Sequence, residues 1–520
     1  MNNFSHPRAL WMLVFLEGGM VMISELCAAK LLAPFYGNSI YVWAAALSVT
    51  LGGLALGYYI GSTLSQKKIT ENIRHLKYAL IIGGLWMILM VPISAKIMPL
   101  LLNLPLGVGA SISLMIYLMP ALICFGICSP LFINILNQAY KQEAGTTAGK
   151  VYAFSTIGGI VFTMLTGFYF IPSLGLKITL LMSGLAMGIS SLSILGFKTK
   201  IPGIAASILL VLGVVFSSFV KPEYRDDIKV LSESDGILGN IKVVDLLAEG
   251  FSETPTPGRA LVVNNSIQTF LKTEGPQYSH WHWAYLIPSI AGVKTSGSDA
   301  LLVGLGGGIT YRQFESIGLN TDVVELDARI KEYAIKYFDV PKDAPIYIDD
   351  GRHFIKKSKK KYDLIYFDTF FSESQPEHLL TKEGIQDAIS ILKKDGFMII
   401  NFYGFTDGEE GYAARSIMKT ILHLNLKLHV IPTPGEQSKR NLFFVVSPGK
   451  LPNYFDTRYQ EPGMPVFDQW SHIVTDERDY DITDGEILTD MKPNLSLLFR
   501  KAALQWRNGY NEYSIEQLYQ

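Results

Sequence analysis

Glycines and acidic residues recur at the ends of apolar stretches in the second half of this chain. Gly304, Gly306 and Gly308 follow the stretch LLV directly and have the spacing G-x-G-x-G. Glycines at such a turn allow a ligand to approach the backbone closely. Twenty-one residues after the first of them, Glu325 ends the next apolar stretch. A carboxylate there can accept hydrogen bonds from both hydroxyls of a ribose, so the pattern predicts a nucleoside-binding site.

Two further acidic residues end the apolar stretches that follow. Asp350, followed by Gly351, is suitably placed for the amino group of an adenine. Asp368 ends the next stretch, at the edge where chemistry usually occurs in such sheets. The spacing alone fits both a dinucleotide enzyme and an enzyme that uses S-adenosylmethionine. The shortened glycine motif and the Asp-Gly pair favour the second.

Strands that alternate with helices must position these residues. The predicted strands are ALLV (300–303), DVVEL (322–326), IYI (346–348), DLIYF (363–367), FMIINF (397–402), LHVI (428–431) and NLFFVV (441–446). The alternation predicts an α/β Rossmann-like domain over residues 299–450, with a mainly parallel, doubly wound sheet. Before it, IKVVDLL (241–247) and RALVVNN (259–265) predict a small antiparallel β domain over 221–298. Residues 451–520 form a C-terminal extension.

The first 220 residues are mostly apolar, and almost all of the charge lies after them. Seven stretches are long enough to cross about 30 Å of hydrocarbon. They are 9–33, 40–64, 78–102, 108–137, 150–172, 176–197 and 203–220. We therefore expect a multispan α-helical membrane domain over residues 1–220 with the lipid bilayer around it; the family resemblance described below implies that this bilayer is a bacterial inner membrane. The first stretch lacks a clear cleavage site and is predicted to be a retained helix, not a signal peptide.

Polar groups within these spans have two interpretations. The first span carries Glu17, Glu25 and Lys30, which are costly at membrane depth. They pair internally or face a neighbouring helix, or else they line a polar cavity for a substrate. A continuous cavity would favour a transporter whose soluble domain senses the nucleoside. The second span carries glycines spaced four residues apart, which predicts close helix packing.

The distribution of basic residues conflicts with the position of the predicted site. Lysines and arginines follow spans two, four and six, which places those loops and the N-terminus in the cytoplasm. Seven spans would then leave the C-terminal half outside, whereas a nucleotide-type substrate is expected inside the cell. Either a segment between residues 96 and 137 adds or removes a crossing, or the charge rule fails here. We expect a cytoplasmic catalytic domain.

Composition excludes several classes of function. A formal net charge of −1 and a pI near 6.8, without a basic stripe, argue against a nucleic-acid partner. The three cysteines, Cys27, Cys124 and Cys128, all lie in apolar stretches. The last two are four residues apart on one helix face, where packing is a better explanation than metal binding. We expect neither a disulfide framework nor a metal site.

The soluble half resembles the spermidine synthase (polyamine aminopropyltransferase) family. The likeness lies in SESDGILGNIKVVD (232–245), VVNNSIQ (262–268), LLVGLGGG (301–308), VVELD (323–327), IDDGRHF (348–354) and YDLIYFDTF (362–370). The membrane half resembles the multispan segment fused to some bacterial members, most clearly at 24–39 and 148–175. The resemblance implies transfer of an aminopropyl group from decarboxylated S-adenosylmethionine to an amine acceptor, with release of 5′-methylthioadenosine.

Individual roles follow from the same resemblance. It implies that Gln268 lies near the donor, that Glu325 holds the ribose and that Asp350 holds the adenine. Asp368 is the implied acid/base residue, which deprotonates the amine. The family's usual tyrosine before the glycine loop has candidates in QYSHWHW (277–283), namely Tyr278, His280 and His282. No permanently bound cofactor is implied.

Two acidic residues of the family pattern are missing. Gly307 stands where the family has an aspartate that pairs with the donor's ammonium, and Phe371 stands where it has an aspartate that binds the acceptor. Their loss weakens the case for a polyamine acceptor and removes charges that repel a carboxylate. The donor is then S-adenosylmethionine itself or its decarboxylated form. Intact donor allows alkyl transfer to an unknown acceptor, or a lyase reaction in which the donor's own carboxylate attacks its chain.

Some features leave further alternatives open. A non-catalytic adenosyl-binding module and a methyltransferase both fit the glycine motif, although the small β domain argues against the latter. Glu373 and His378 lie in the loop after Asp368 and are either solvated or part of a lid. The segment GEILTDMKPN (485–494) resembles a C-terminal element of distant family members and carries no assigned chemistry. The acceptor remains open, and so does assembly into a homo-oligomer.

Overall fold

The computed structural model of the protein describes most of the chain. The described residues are 7–37, 40–101, 104–141, 143–196, 200–219, 224–236, 238–248, 256–273, 279, 284, 286–370, 375–438, 440–454, 457, 474–492, 494–503, 505–506 and 518. The chain divides into two compact units. The first comprises Met1–Glu223 and Ser234–Ile241, and the second comprises Tyr224–Glu233 and Lys242–Gln520.

Apolar helices make up the first unit. They are α1 (Pro7–Tyr36), α2 (Ile40–Ser65), α3 (Ile69–Leu101), α4 (Leu106–Tyr117), α5 (Met119–Tyr140), α6 (Ala144–Leu165), α7 (Ile171–Leu195) and α8 (Lys200–Phe219). A π-helical turn, Thr166–Phe170, joins α6 to α7. Six helices among the described residues are long and apolar enough to cross a membrane, which is consistent with a membrane protein.

The structure has six such helices where seven spans were predicted because two predicted spans fall in one segment, whereas the division of a third span leaves the count unchanged. Predicted spans 150–172 and 176–197 lie in one helical segment of 52 residues, Ala144–Leu195. Within it Gly175 has φ = 78° and ψ = 169°, which interrupts the helical backbone. Predicted span 108–137 is divided between α4 and α5, and the 12 residues of α4 are too few to span about 30 Å at 1.5 Å per residue.

The predicted glycine stripe of the second span lies against α5. A Cβ on Gly57 would lie 2.5 Å from the carbonyl oxygen of Ile123 and 2.7 Å from the Cα of Gly126. The two backbones therefore touch, and no side chain fits between them. Close approach of this kind maximises van der Waals contact between helices.

The acidic residues of α1 are buried within the bundle. Glu17 and Glu25 are 3% and 7% exposed. The Glu17 carboxylate accepts a hydrogen bond of 3.1 Å from the Ser155 hydroxyl of α6. This contact satisfies part of the hydrogen-bonding capacity of a group that is costly in hydrocarbon.

Two sheets follow the apolar helices along the chain. A four-stranded sheet has the order β1-β2-β3-β4, and an eight-stranded sheet has the order β12-β10-β11-β9-β8-β5-β6-β7. The strands are β1 (Lys229–Gly236), β2 (Gly239–Ala248), β3 (Thr256–Val263), β4 (Ser266–Lys272), β5 (Asp299–Val303), β6 (Asn320–Glu325), β7 (Ile346–Ile348), β8 (Tyr362–Phe367), β9 (Leu392–Tyr403), β10 (Lys427–Pro432), β11 (Asn441–Ser447) and β12 (Thr475–Asp476).

Helices follow most strands of the larger sheet. They are α9 (Leu286–Ala291), α10 (Ile309–Ser316), α11 (Ala328–Tyr337), α12 (Gly351–Lys357), α13 (Glu377–Leu380), α14 (Lys382–Ser390), α15 (Tyr412–His423) and α16 (Leu495–Leu498). Strands β5 to β9 pair in parallel, whereas β9, β11, β10 and β12 pair antiparallel. The strand order reverses between β5 and β8, and ligands bind at such a switch point in doubly wound sheets.

The core of the larger sheet follows from its alternating side chains. Leu301 and Ile365 lie in the apolar cluster on one face, and Leu302 and Tyr366 lie in the cluster on the other. Both faces are covered, so the strands are apolar throughout, as in the predicted parallel sheet. The predicted fold class, a multispan helical part with a Rossmann-like domain preceded by a small β domain, is confirmed.

The end of β3 differs from the prediction. Residues 259–265 were expected to form one strand, but β3 ends at Val263. Asn264 and Asn265 have φ values of 49° and 62°, and they form the turn of the β3–β4 hairpin. Asparagine tolerates this left-handed conformation, and two-residue turns of this kind suit the twist of a hairpin.

Leucine at position 57 should separate α2 from α5. We expect Gly57→Leu to lower the thermal unfolding temperature in detergent by at least about 5 °C, because overpacking of this kind costs roughly 1–3 kcal/mol or more. Gly52→Leu is the matched control, since a Cβ at position 52 meets nothing within 4 Å. Equal melting temperatures for the two variants would contradict the packing described.

Candidate nucleoside-binding site

The loop between β5 and α10 contains the glycine motif, at the point where strand order reverses. Gly304 has φ = 95°, and a Cβ on it would overlap the backbone carbonyl oxygen of Asp368. Gly308 has φ = 78°, and a Cβ there would overlap Val340. Both positions therefore need glycine for backbone conformation and for space. The loop is held against the carboxyl end of β8.

A threonine from the small sheet fills the space beside the loop. The backbone N–H of Gly307 donates a 2.8 Å hydrogen bond to the hydroxyl of Thr269 on β4. A Cβ on Gly307 would lie 2.5 Å from Cγ2 of Thr269, and one on Gly306 would lie 3.2 Å from its hydroxyl. Position 307 is where the family pattern has aspartate, so Thr269 occupies the space that such a side chain would need.

Glu325 ends β6 with its carboxylate turned toward the glycine loop. The backbone N–H groups of Leu305 and Asp327 donate to its two oxygens at 3.0 and 2.8 Å. The residue is 6% exposed, and burial raises the pKa of Glu325 while these N–H groups oppose the rise. A carboxylate has about four lone-pair sites, more than these backbone N–H groups occupy. Glu325 can therefore accept a further hydrogen bond, such as one from a hydroxyl group.

Asp350 lies at the start of α12 and has two sets of partners. One oxygen accepts the backbone N–H groups of Arg352 and His353, both at 3.0 Å, and so caps the helix. The other lies 2.9 Å from Nε2 of His378. A Cβ on Gly351 would lie 2.6 Å from Cγ1 of Val303 in β5, so Gly351 allows α12 to pack on the strand that precedes the glycine loop.

Asp368 follows β8 and receives its hydrogen bond from a neutral amide. Nδ2 of Asn401 on β9 donates to one carboxylate oxygen at 3.0 Å. Asn401 in turn accepts a 2.8 Å hydrogen bond from Nδ2 of Asn441 on β11. Burial raises the pKa of Asp368 to about 6, and the Asn401 amide opposes this rise. A carboxylate with this pKa accepts a proton more readily than an ordinary aspartate and is still ionised near pH 7.

Gln268 lies next to the loop-contacting threonine, in an irregular part of β4. Leu261 pairs with Thr269 and Val262 pairs with Ile267, so Gln268 is the extra residue of a β-bulge. Its amide donates a 3.1 Å hydrogen bond to the Ser266 hydroxyl. Bulges change the direction of side chains and are common near active sites.

Several predicted residues lie outside the described part of the chain. They are Tyr278, His280, His282, Phe371 and Glu373. The site therefore consists here of the glycine loop, Glu325, Asp350, Asp368 and the neighbouring Gln268. Among the described residues no group of three or more histidine, cysteine or acidic side chains is placed to hold a metal ion.

Three neighbouring residues were not identified from the sequence: Asn401 and Gln375, which are 0% and 7% exposed, and Thr269, which contacts the loop. His378 was predicted to lie in a loop, but it lies in helix α13 and contacts Asp350. The one sequence signal was the asparagine within the apolar stretch FMIINF, where a buried polar group needs a partner. The others are brought to the site by contacts distant in sequence.

Restoring aspartate at position 307 should require a change at position 269. We expect Gly307→Asp to destabilise the protein by about 1–3 kcal/mol through overlap with Thr269. Thr269→Gly removes the overlapping atoms. It should lower the free energy of unfolding of the wild type, but it should lower that of Gly307→Asp little or not at all. Thermal unfolding of the four proteins measures this coupling. Additive effects would contradict the crowding described.

Comparisons with known proteins agree with the motifs. The sequence profile of the spermine/spermidine synthase domain matches residues 289–434. Polyamine aminopropyltransferase 2 of Aquifex aeolicus is 23% identical over 454 residues, which cover 83% of this chain and 87% of that protein. The N-terminal histidine N-methyltransferase of Emericella nidulans is 31% identical over 193 residues, 34% of this chain and 35% of that protein.

The extent of the matches varies. The chain spans about a third of the length of the Emericella enzyme and of a probable polyamine aminopropyl transferase of Bifidobacterium longum. The solved structure of spermidine synthase from Thermotoga maritima has 18% sequence identity and a TM-score of 0.33, and covers 52% of this chain and 88% of its own. Residues 289–434 thus match the spermine/spermidine synthase domain, and the chain is similar to polyamine aminopropyltransferases.

Proposed function

We propose that this protein is a membrane-bound transferase that binds S-adenosylmethionine or its decarboxylated form and transfers an aminopropyl-type group to an amine, releasing 5′-methylthioadenosine. One observation carries the proposal. Glu325, Asp350 and Asp368 lie at the carboxyl ends of three parallel strands of one sheet, beside the glycine loop that occupies its switch point. Similarity to polyamine aminopropyltransferases supports the type of reaction.

The proposed chemistry depends on position more than on covalent catalysis. Glu325 holds the ribose hydroxyls and Asp350 holds the adenine amino group, which fixes the sulfonium near Asp368. Asp368 accepts a proton from the acceptor amine. The amine nitrogen then bonds to the carbon beside the sulfonium, and the carbon–sulfur bond breaks with its electrons passing to sulfur. The sulfur product is the neutral thioether 5′-methylthioadenosine.

Gln375 supports an acceptor with N–H groups. Its Nε2 donates a 2.5 Å hydrogen bond to the backbone carbonyl of Asn401, the residue that also holds Asp368. A carbonyl only accepts, so the Gln375 amide must turn its nitrogen toward it. Oε1 of Gln375 is thereby left buried without a partner among the described residues. A buried acceptor atom on a side chain that bonds Asn401 suits a ligand that donates hydrogen bonds, as an amine does.

Cleavage of intact S-adenosylmethionine without an acceptor is the second candidate. Gly307 favours this reaction because it has no carboxylate to pair with the ammonium of an aminopropyl group. Its backbone N–H donates a hydrogen bond to Thr269. In this reaction the donor's own carboxylate oxygen bonds to the carbon beside the sulfonium. The carbon–sulfur bond breaks, and the products are a lactone and 5′-methylthioadenosine.

Product analysis separates these reactions. Purified protein is incubated with each donor, with and without putrescine, and the products are identified by mass spectrometry. We expect 5′-methylthioadenosine from the decarboxylated donor together with an aminopropylated amine. The same product from intact donor without an acceptor would favour the lyase. S-adenosylhomocysteine would instead indicate methyl transfer, the reaction named for the Emericella relative. Absence of all products and of donor binding would contradict the proposal.

Loss of the proposed base should impair turnover more than binding. We expect Asp368→Asn to lower kcat by about 10²–10⁴-fold, because general base catalysis typically contributes this much. The affinity for donor, measured by calorimetry, should fall much less than kcat. An Asp368→Asn variant with wild-type kcat would exclude Asp368 as the base.

The pH dependence of turnover should follow the Asp368 carboxylate. As the base, Asp368 must be ionised, so kcat should rise with pH through about 6 and then level off. Asn401 stabilises the ionised form, so Asn401→Leu should move this rise to higher pH. Asn441→Leu is the control, because Asn441 is buried and bonds Asn401, not Asp368. A larger shift in the control than in Asn401→Leu would contradict the assignment.

A further inference from the structure

A segment near the C-terminus packs along the helices that surround the site. We call residues 481–492 and 494–496 the tail strap. The backbone N–H of Leu488 donates to the Thr420 hydroxyl on α15 at 2.9 Å, and its carbonyl accepts the N–H of Lys382 at the start of α14 at 2.8 Å. The strap therefore ties two helices together through its own backbone.

Arg352 connects the strap to the helix that starts at Asp350. Its guanidinium makes two hydrogen bonds to the carboxylate of Asp490 in the strap, at 2.7 and 2.8 Å. It also donates to Asp387 at 2.8 Å and to the backbone carbonyl of His378 at 3.1 Å. Arg352 is 8% exposed. A buried guanidinium with this many partners has a fixed orientation.

The same strap holds helix α13 at both ends. The hydroxyl of Thr381 donates to Asp490 at 2.7 Å, and the backbone N–H of Ser496 donates to Glu377 at 2.9 Å. Between these contacts His378 projects its ring to within 2.9 Å of Asp350. The position of that ring, and of the carboxylate it contacts, therefore depends on the strap.

We propose that Asp490 is a positioning residue for the nucleoside site: through Arg352 and α13 it keeps His378 against Asp350, the residue that would hold the adenine. The inference rests on the proposed function, because it assigns a consequence to Asp350 as a nucleoside ligand. Asp490 is not one of the residues proposed to contact the nucleoside. Its removal leaves the buried Arg352 guanidinium without its two-pronged partner, so that Arg352 and α13 shift and Asp350 loses a contact.

The chain offers a matched control in the same strap. Asp484 also makes two hydrogen bonds to one arginine, Arg415 on α15, at 2.8 and 2.6 Å. The other bonds of Arg415 go to the carbonyls of Thr406 and Gly408. Asp484→Asn therefore loosens the strap through an equivalent ion pair without touching Arg352, His378 or α13.

Calorimetry with the full-length protein in detergent tests the inference, with S-adenosylmethionine, its decarboxylated form and 5′-methylthioadenosine as probes. We expect Asp490→Asn to raise the Kd for each probe roughly tenfold, because all three contain adenine. Asp484→Asn should leave each Kd within about twofold of the wild type. His378→Gln leaves the strap intact and removes the imidazole ring, so it should raise the Kd for each probe as Asp490→Asn does. If Asp490→Asn does not fold, the affinity of His378→Gln tests the inference.

The outcomes separate this inference from the proposed function. If the wild type binds the probes and both Asp490→Asn and His378→Gln bind them equally well, the inference is overturned and the proposed function is not. Equal loss of affinity in Asp484→Asn and Asp490→Asn would also overturn it, since the effect would then be general loosening of the strap. A wild type that binds none of the three probes would contradict the proposed function and the inference with it.

Discussion

The contact between the backbones of Gly304 and Asp368 is the constraint on which the site depends. These residues directly follow β5 and β8, the two parallel strands at the switch point, and the N–H of Asp368 donates to the carbonyl of Val303 at 2.9 Å. Because no side chain fits between the two turns, the glycine loop and the Asp368 carboxylate must emerge side by side. Glu325 lies beside them because β6 pairs with the other edge of β5. The Glu325 carboxylate accepts a hydrogen bond from the N–H of Leu305 in the glycine loop. A larger residue at position 304 would separate all of these groups.

Much of this arrangement could be predicted from the sequence, because it depends on local patterns. Mainly apolar stretches of three to five residues, with a glycine or an acidic residue at or after their ends, predicted the strands β5 to β8 and the groups at their ends. The strands β1, β4 and β12 were not predicted. The bulge at Gln268 within β4 and the two residues of β12 have no strong alternating pattern.

The rest could not be predicted, since it depends on contacts between residues far apart in the chain. Asn401 meets Asp368 across 33 positions, and Arg352 meets Asp490 across 138. Thr269 fills the space beside Gly307, which from the sequence alone was only a departure from a family pattern. Such pairs have no spacing rule, because the fold and not the local conformation brings them together. The roles of Tyr278 and His280 stay predictions, as both lie outside the described residues.

The two edges of the large sheet differ in how they satisfy their carboxylates, and the difference bears on the proposed reaction. At the amino edge, Lys393 pairs with Asp299 and Asp363 at 2.7 and 2.8 Å. At the carboxyl edge, Glu325 is bonded by backbone N–H groups and Asp368 by an asparagine amide, neither of which carries a charge. The negative charge of Glu325 and Asp368 is thus stabilised by neutral partners, and it would attract the sulfonium ion of the proposed donor. In the proposed reaction the sulfur leaves as a neutral thioether, so the same carboxylates attract the product less than the donor. The charge that favours binding therefore does not hinder release.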